Sequence, residues 1–226
     1  MDFVLPDFAR QLLLFAPVFI ISLTFHEFAH GWMANKYGDA TARHMGRLTM
    51  DPMAHISWVG TVIFPAISLL LGAPLFGWAN PVPVDPRNFK NPLKHMAVVA
   101  AAGPFSNILL ATACTAILSL LINKLNLPVG AGGFKGMNSA AIEMLVMAVQ
   151  LNLFLAFFNL IPLPPLDGSR ILQGFVSPQA AQKIEDFASS AQWLLLILVF
   201  TGALRIVAVP VYAFMAFLFR TFGIPS

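Results

Sequence analysis

FARQLLLFAPVFIISLTFHEFAHGWMANKY, residues 8–37, reads as one long helix whose first part suits lipid and whose last part carries His26, Glu27, His30 and Lys36. The apolar run reaches the ~20 residues that a membrane-crossing helix needs, and it shows no strand-like alternation. Ionisable groups inside such a helix are expensive and mark function more often than structure. Working outward, similar runs recur. The chain is 226 residues long, 58% hydrophobic and only 10% charged, with a mean hydropathy of +0.77. A water-soluble domain carries about a quarter charged residues. In the hydrocarbon layer backbone groups have no water to bond, so spans are helices or a closed barrel, and continuous apolar runs select helices. The expected fold is an all-α membrane protein: a polytopic transmembrane helix bundle forming a single domain over residues 1–226, with a core at 8–175 and a C-terminal helical segment at 191–222.

After Gly38 the sequence is polar through His55, then apolar from Ile56 to Trp78 but broken by Pro65, Gly72 and Pro74, which makes a poor straight span. Asn80 to Pro92 is proline-rich, and its Pro81-Val82-Pro83-Val84 alternation suits a short extended edge segment. A long apolar helix follows from about Leu93 to Leu121, then a glycine-rich turn over Val129–Gly136. Another span runs from about Ala140 to Ile161 and ends in Asn159-Leu-Ile-Pro162-Leu-Pro164-Pro165-Leu-Asp167-Gly168. An amphipathic piece, Ser177–Ser190, leads to apolar Ala191–Phe222, either one tilted span or a helical hairpin.

The net charge of +3 sits in clusters between apolar segments, a topology signal and not a nucleic-acid-binding face. Lys36, Arg43 and Arg47 follow the first span, and Arg87, Lys90 and Lys94 follow the broken one, so both loops are expected on the cytoplasmic side. That requires an even number of crossings between them. Ile56–Trp78 is therefore expected to enter and return on one side, as a re-entrant or hairpin segment. Phe3–Leu23 lacks a basic start and a small-residue cleavage site, so it is expected to remain in the mature protein. The lone Cys114 lies in an apolar run and reads as packing.

His26 and His30, four apart on a helix, lie on one face within reach of one metal ion, and Glu27 between them can hold and deprotonate water. A catalytic zinc site wants a third protein ligand. Asp167 is the best candidate, since three prolines before it prevent regular helix and can turn a carboxylate inward. An aspartate before glycine is commonly a turn residue, but beside the histidine pair the ligand reading is preferred.

His26-Glu-Phe-Ala-His30 together with Asn159-Leu-Ile-Pro-Leu-Pro-Pro-Leu-Asp167-Gly168 resembles the site-2 protease family of intramembrane metalloproteases, in order and in spacing. Ala102-Gly103-Pro104-Phe105-Ser106-Asn107 is similar to a helix-start motif of that family, so the likeness covers roughly residues 15 to 175. The resemblance implies that His26, His30 and Asp167 bind one Zn2+ per chain, that Glu27 is the general base, and that Asn159 helps hold the substrate or the oxyanion. It implies cleavage of a transmembrane protein substrate in the bilayer of the cell membrane, near the cytoplasmic leaflet. The family's Asp-Gly-Gly is here Asp167-Gly168-Ser169, and neither a PDZ module nor a CBS domain interrupts these motifs.

A substrate helix must unwind before attack, and Asn80, Pro81, Val82, Pro83 and Val84 are expected to pair with it by strand addition. His44 or His55 either takes the open metal position or hydrogen-bonds within the polar loop near Asp51 and Arg47. His95 reads as an interface residue, Gly103, Ser106 and Asn107 as close helix packing, and Arg205 as snorkelling to an interface. The rivals are a membrane metal-binding or transport protein, for which Gln should be tolerated at position 27, and a catalytically silent scaffold.

Overall fold

The computed structural model describes residues 7–70, 77–125 and 140–225. Among them four helical stretches are long and apolar enough to cross a membrane: Ala9–Lys36, Pro92–Lys124, Ala140–Asn159 and Ala203–Thr221. The first three belong to α1 (Asp7–Lys36), α4 (Pro92–Leu125) and α5 (Ala140–Asn159), which pack on one another. The glycine-rich turn expected over Val129–Gly136 lies outside the described residues.

Ala111, Cys114, Leu118 and Ile122 of α4 meet Ile142, Val149 and Leu153 of α5, and Val211, Leu218 and Phe219 of the last helix close this core. Phe15, Phe19 and Leu23 of α1 pack against Met147, Leu151 and Leu155 of α5. The outward faces are equally apolar, with Leu120 69% and Phe200 81% exposed. That pattern belongs to a bundle with lipid as its solvent. Lipid tails are as apolar as leucine, so burial alone does not hold such helices together; packing and interhelical hydrogen bonds, about 0.6–2 kcal/mol each, do. The interhelical bonds here centre on buried Ser22, Asn107 and Asn152, one on each of α1, α4 and α5.

Beyond α1 come a short α2 (Thr41–His44), a π-helical turn at Trp58–Ile63 capped by the Ser57 hydroxyl, and α3 (Phe64–Leu70). The chain is then back beside its start. Trp78 N donates to Gly60 O at 3.1 Å, the Thr61 hydroxyl donates to Trp78 O at 2.9 Å, and Asn80 N donates to His55 O at 2.8 Å. A single crossing would leave these residues a membrane thickness apart, so the segment enters and returns as the charge parity requires. A Cβ at Gly60 would collide with the Trp78 ring, so the turn needs glycine there.

The two basic loops share one end of the bundle. Asp39, fully buried, accepts from Thr41 N and the Thr41 hydroxyl in its own loop and from Asp85 N and Asn88 Nδ2 in the other. Burial works against its ionisation, but these bonds outweigh it and hold the carboxyl below the usual carboxylate range. Arg47 adds a second tie by donating to the carbonyls of Asn80 and Pro81.

Among the described residues there is no strand, so the Asn80–Asp85 stretch runs without a sheet partner. The reason lies in its donors. Pro81 and Pro83 have none, and those of Asn80, Val82 and Asp85 go to His55 O, the Glu27 carboxylate and the Asp39 carboxylate. At the other end of the chain, α6 (Asp167–Gln173) packs on α4, and α7 (Pro178–Asp186), capped by Ser177, packs on α6. Apolar α8 (Ala188–Phe200) stops at Gly202, whose φ of 74° is left-handed, and α9 (Ala208–Thr221) then runs against α5. Ala191–Phe222 is therefore two helices and not one tilted span.

Candidate metal centre

The final turns of α1 place His26 and His30 on one face, as four-residue spacing dictates. Asp167 arrives from across the bundle. After α5 ends at Asn159 the prolines forbid helix, Leu166 is extended with ψ 155°, and Asp167 opens α6. Gly168 lies so close under the carbonyls of Leu160 and Ile161 that a Cβ would collide with them, which explains the glycine after the aspartate.

The three side chains meet at one point. His26 Nε2 and His30 Nε2 are 3.1 Å apart, and Asp167 Oδ2 is 3.2 Å from the first and 3.4 Å from the second. Tetrahedral ligands at zinc bond lengths sit about 3.3 Å from one another. The proton positions agree. His30 Nδ1 lies 2.8 Å from Val99 O, and a carbonyl only accepts, so Nδ1 carries the hydrogen and Nε2 offers its lone pair inward. His26 Nδ1 lies 2.6 Å from Asn107 Oδ1, which leaves its Nε2 likewise free.

Asp167 Oδ2 is buried without a hydrogen-bond donor. With both rings neutral, two lone pairs and a carboxylate oxygen converge at this point and repel one another unless a cation lies among them. Gly103 on α4 supplies the room: a Cβ there would collide with His30 Nε2. Two imidazoles and one carboxylate around an open position suit zinc. Among the described residues this is the one cluster of three such ligands.

Glu27 is held in turn. Its Oε2 accepts from Val82 N at 2.8 Å, so the Pro-Val-Pro-Val segment reaches the centre through this carboxylate. Val82 itself is buried and faces Gly31, where a Cβ would come within 3.0 Å of its side chain. Of the neighbouring positions, Asn80 and Pro81 turn their carbonyls to Arg47, and Val84 packs beside Ala34, Phe89 and Val99. Pro83 lies between them, half-buried.

Asn159 ends α5 with its amide donating back to Leu155 O at 2.9 Å. His55 is buried with Nε2 on Thr49 O, which favours the polar-loop alternative for it, and His44 is exposed. His95 lies between the rings of Tyr37 and Phe89, an interface position as expected. Asn107, expected to serve helix packing, also bonds a histidine of the cluster. Its signal was available: an amide amid an apolar span must find a partner.

Residues 14–200 match the family model of peptidase family M50. The chain belongs to peptidase family M50. The expectation of a site-2 protease is met, and with it that of a metalloendopeptidase in a multi-pass membrane fold. "Putative zinc metalloprotease YwhC" of Bacillus subtilis strain 168 is 38% identical over 182 residues, covering 80% of this M50 chain and 78% of its own length. "Putative zinc metalloprotease Rip2" of Mycobacterium tuberculosis strain H37Rv is 26% identical over 196 residues, covering 83% of this chain and 70% of its own length. No solved structure matches this M50 peptidase.

Proposed function

We propose that this M50 peptidase is a zinc-dependent intramembrane endopeptidase that cuts membrane-spanning protein substrates near the cytoplasmic leaflet. His26, His30 and Asp167 hold one zinc ion, Glu27 is the general base, and Asn159 steadies the substrate carbonyl. The observation that carries this reading is the buried, donorless Asp167 Oδ2 facing two inward Nε2 atoms inside an apolar bundle.

Zinc, when bound, supplies a Lewis acid that brings the pKa of water toward neutrality and polarises the scissile carbonyl. Glu27 accepts the proton of the attacking water as the C–O bond forms, and delivers it to the departing amine as the C–N bond then breaks. Asn159 can release Leu155 O and donate to the developing oxyanion. The cytoplasmic assignment is supported by Lys36, Arg43, Arg47, Arg87, Lys90 and Lys94, which lie in the loops and helix ends at the bundle end that holds the centre.

The test is cleavage of a model transmembrane helix by purified protein in detergent or liposomes. A strong chelator is expected to stop cleavage and added Zn2+ to restore it, with the product ends mapping to the cytoplasmic third of the substrate span. Cleavage indifferent to chelation, or product ends at the far leaflet, overturns the corresponding half of the proposal.

An unwound substrate needs new partners for its backbone, and we assign that role to the edge of residues 80–84. In an extended run alternate residues turn their polar groups to one side, and Pro81 and Pro83 leave the donors to Val82 and Val84. Val82 N is committed to Glu27. Val84→Pro, which removes the remaining N–H, is expected to raise KM for a transmembrane substrate about 10-fold, the worth of one or two backbone bonds. Unchanged kinetics in a folded Val84→Pro protein would remove strand addition from the mechanism.

A further inference from the structure

Two buried amides connect the candidate centre to Ser22 of α1 and Ala148 of α5, and the carbonyls they meet set their polarity. Asn107 of α4 and Asn152 of α5 are 0% and 1% exposed. Asn152 Nδ2 donates to Ala148 O at 2.8 Å and to the Ser22 hydroxyl at 2.9 Å. Its Oδ1 is therefore the acceptor that receives Asn107 Nδ2, at 2.7 Å. The second hydrogen of Asn107 Nδ2 goes to Ser22 O at 3.2 Å, so Asn107 Oδ1 is the atom left facing His26 Nδ1. Ser22 in turn donates its hydroxyl to Val18 O, and every hydrogen in the chain is used.

Reversing Asn107 would set its oxygen against Ser22 O and Asn152 Oδ1, and reversing Asn152 would set its oxygen against Ala148 O. The network thus demands a hydrogen on His26 Nδ1, which among the neutral ring forms selects the Nδ1–H tautomer. We infer that Asn107, locked by Asn152 and Ser22, is a positioning residue that fixes the Nδ1–H tautomer and ring angle of His26, so that Nε2 is the nitrogen turned to the metal position. The inference rests on the proposed ligand role of His26. A histidine ligand whose other nitrogen is held in this way binds metal more tightly, and losing such a partner costs about 10- to 100-fold in affinity. A role in packing alone predicts neither effect, since an apolar side chain of similar size would serve.

The experiment uses the full chain in detergent, with Zn2+ affinity measured against a chromophoric chelator. In parallel, 15N spectra of the histidine rings are recorded on metal-free protein. Asn107→Leu is expected to weaken zinc binding by about 10- to 100-fold and to shift His26 toward the Nε2–H form. Asn152→Leu should move both readouts in the same direction by less. Asn107→Asp keeps an acceptor on Nδ1–H but sets its second oxygen against Asn152 Oδ1 and Ser22 O, and is expected to retain the Nδ1–H form while regaining only part of the affinity.

Thr115→Val, which removes a fully buried hydroxyl of α4 that bonds only Ala111 O, controls for loss of buried polarity. Zinc affinity in Asn107→Leu within about 3-fold of that control, with an unchanged His26 ring signal, overturns the inference. Should Asn107→Leu not fold, Asn152→Leu decides: an unaltered tautomer there overturns it equally. If the wild type binds no zinc, the ligand reading falls by itself, and the ring spectra of the metal-free protein still decide the role of the amides.

Discussion

Glu27→Gln is expected to abolish cleavage, by a factor on the order of 10²–10⁴ or more, while zinc stays bound with unchanged stoichiometry. The substitution is nearly isosteric, and the glutamine carbonyl oxygen can still accept from Val82 N, the bond that now holds Glu27 Oε2 at 2.8 Å. His26 and His30 keep their Nδ1 partners, so nothing in the ligand geometry changes. What disappears is the carboxylate proposed to take a proton from water. Rate against metal content, measured on the same preparation, separates the readings. Activity lost with metal retained assigns the base, whereas cleavage within about 3-fold of wild type would remove Glu27 from the chemistry. A metal transporter would show wild-type metal handling in this variant.

The second large effect needs only a methyl group. Gly103→Ala would put a carbon 2.5 Å from His30 Cε1 and 2.7 Å from His26 Cε1, and closer still to His30 Nε2. Neither ring can retreat without leaving its anchor on Val99 O or Asn107, and α4 is packed against both α1 and α5. Zinc affinity is therefore expected to fall by on the order of 100-fold or more, and cleavage to reach background, in a protein that still elutes as a folded species. Wild-type zinc binding by a folded Gly103→Ala protein would show that the three ligands do not converge where the structure puts them.

The bundle and the metal cluster were legible for a physical reason: both are written locally or in composition. Two histidines four apart need no tertiary knowledge to share a face. Asp167 stood out because prolines before it stop a helix that would otherwise carry it past the site. The return of Ile56–Trp78 followed from charge parity between two loops, and the bond between Trp78 and Gly60 bears it out. Asn107 was different. An amide among small residues on a membrane helix serves close packing or a specific bond equally well, and its partners lie 81 and 45 positions away in the sequence. The lack of sheet pairing at 80–85 was also hidden, because the acceptors that claim its donors, His55 O, Glu27 and Asp39, come from three separate places. The break at Gly202 settles what periodicity left open in the last apolar stretch.

The hydrogen bond from Val82 to Glu27 has a kinetic meaning. The segment assigned to grip the substrate also sets where the proton acceptor stands, so the two duties share one mechanical element. Changes along 80–84 are then expected to move kcat and KM together, and a substrate that pulls this run out of register would be bound yet turned over slowly. Under the proposed function, such an arrangement would discriminate at the chemical step among membrane helices of equal affinity.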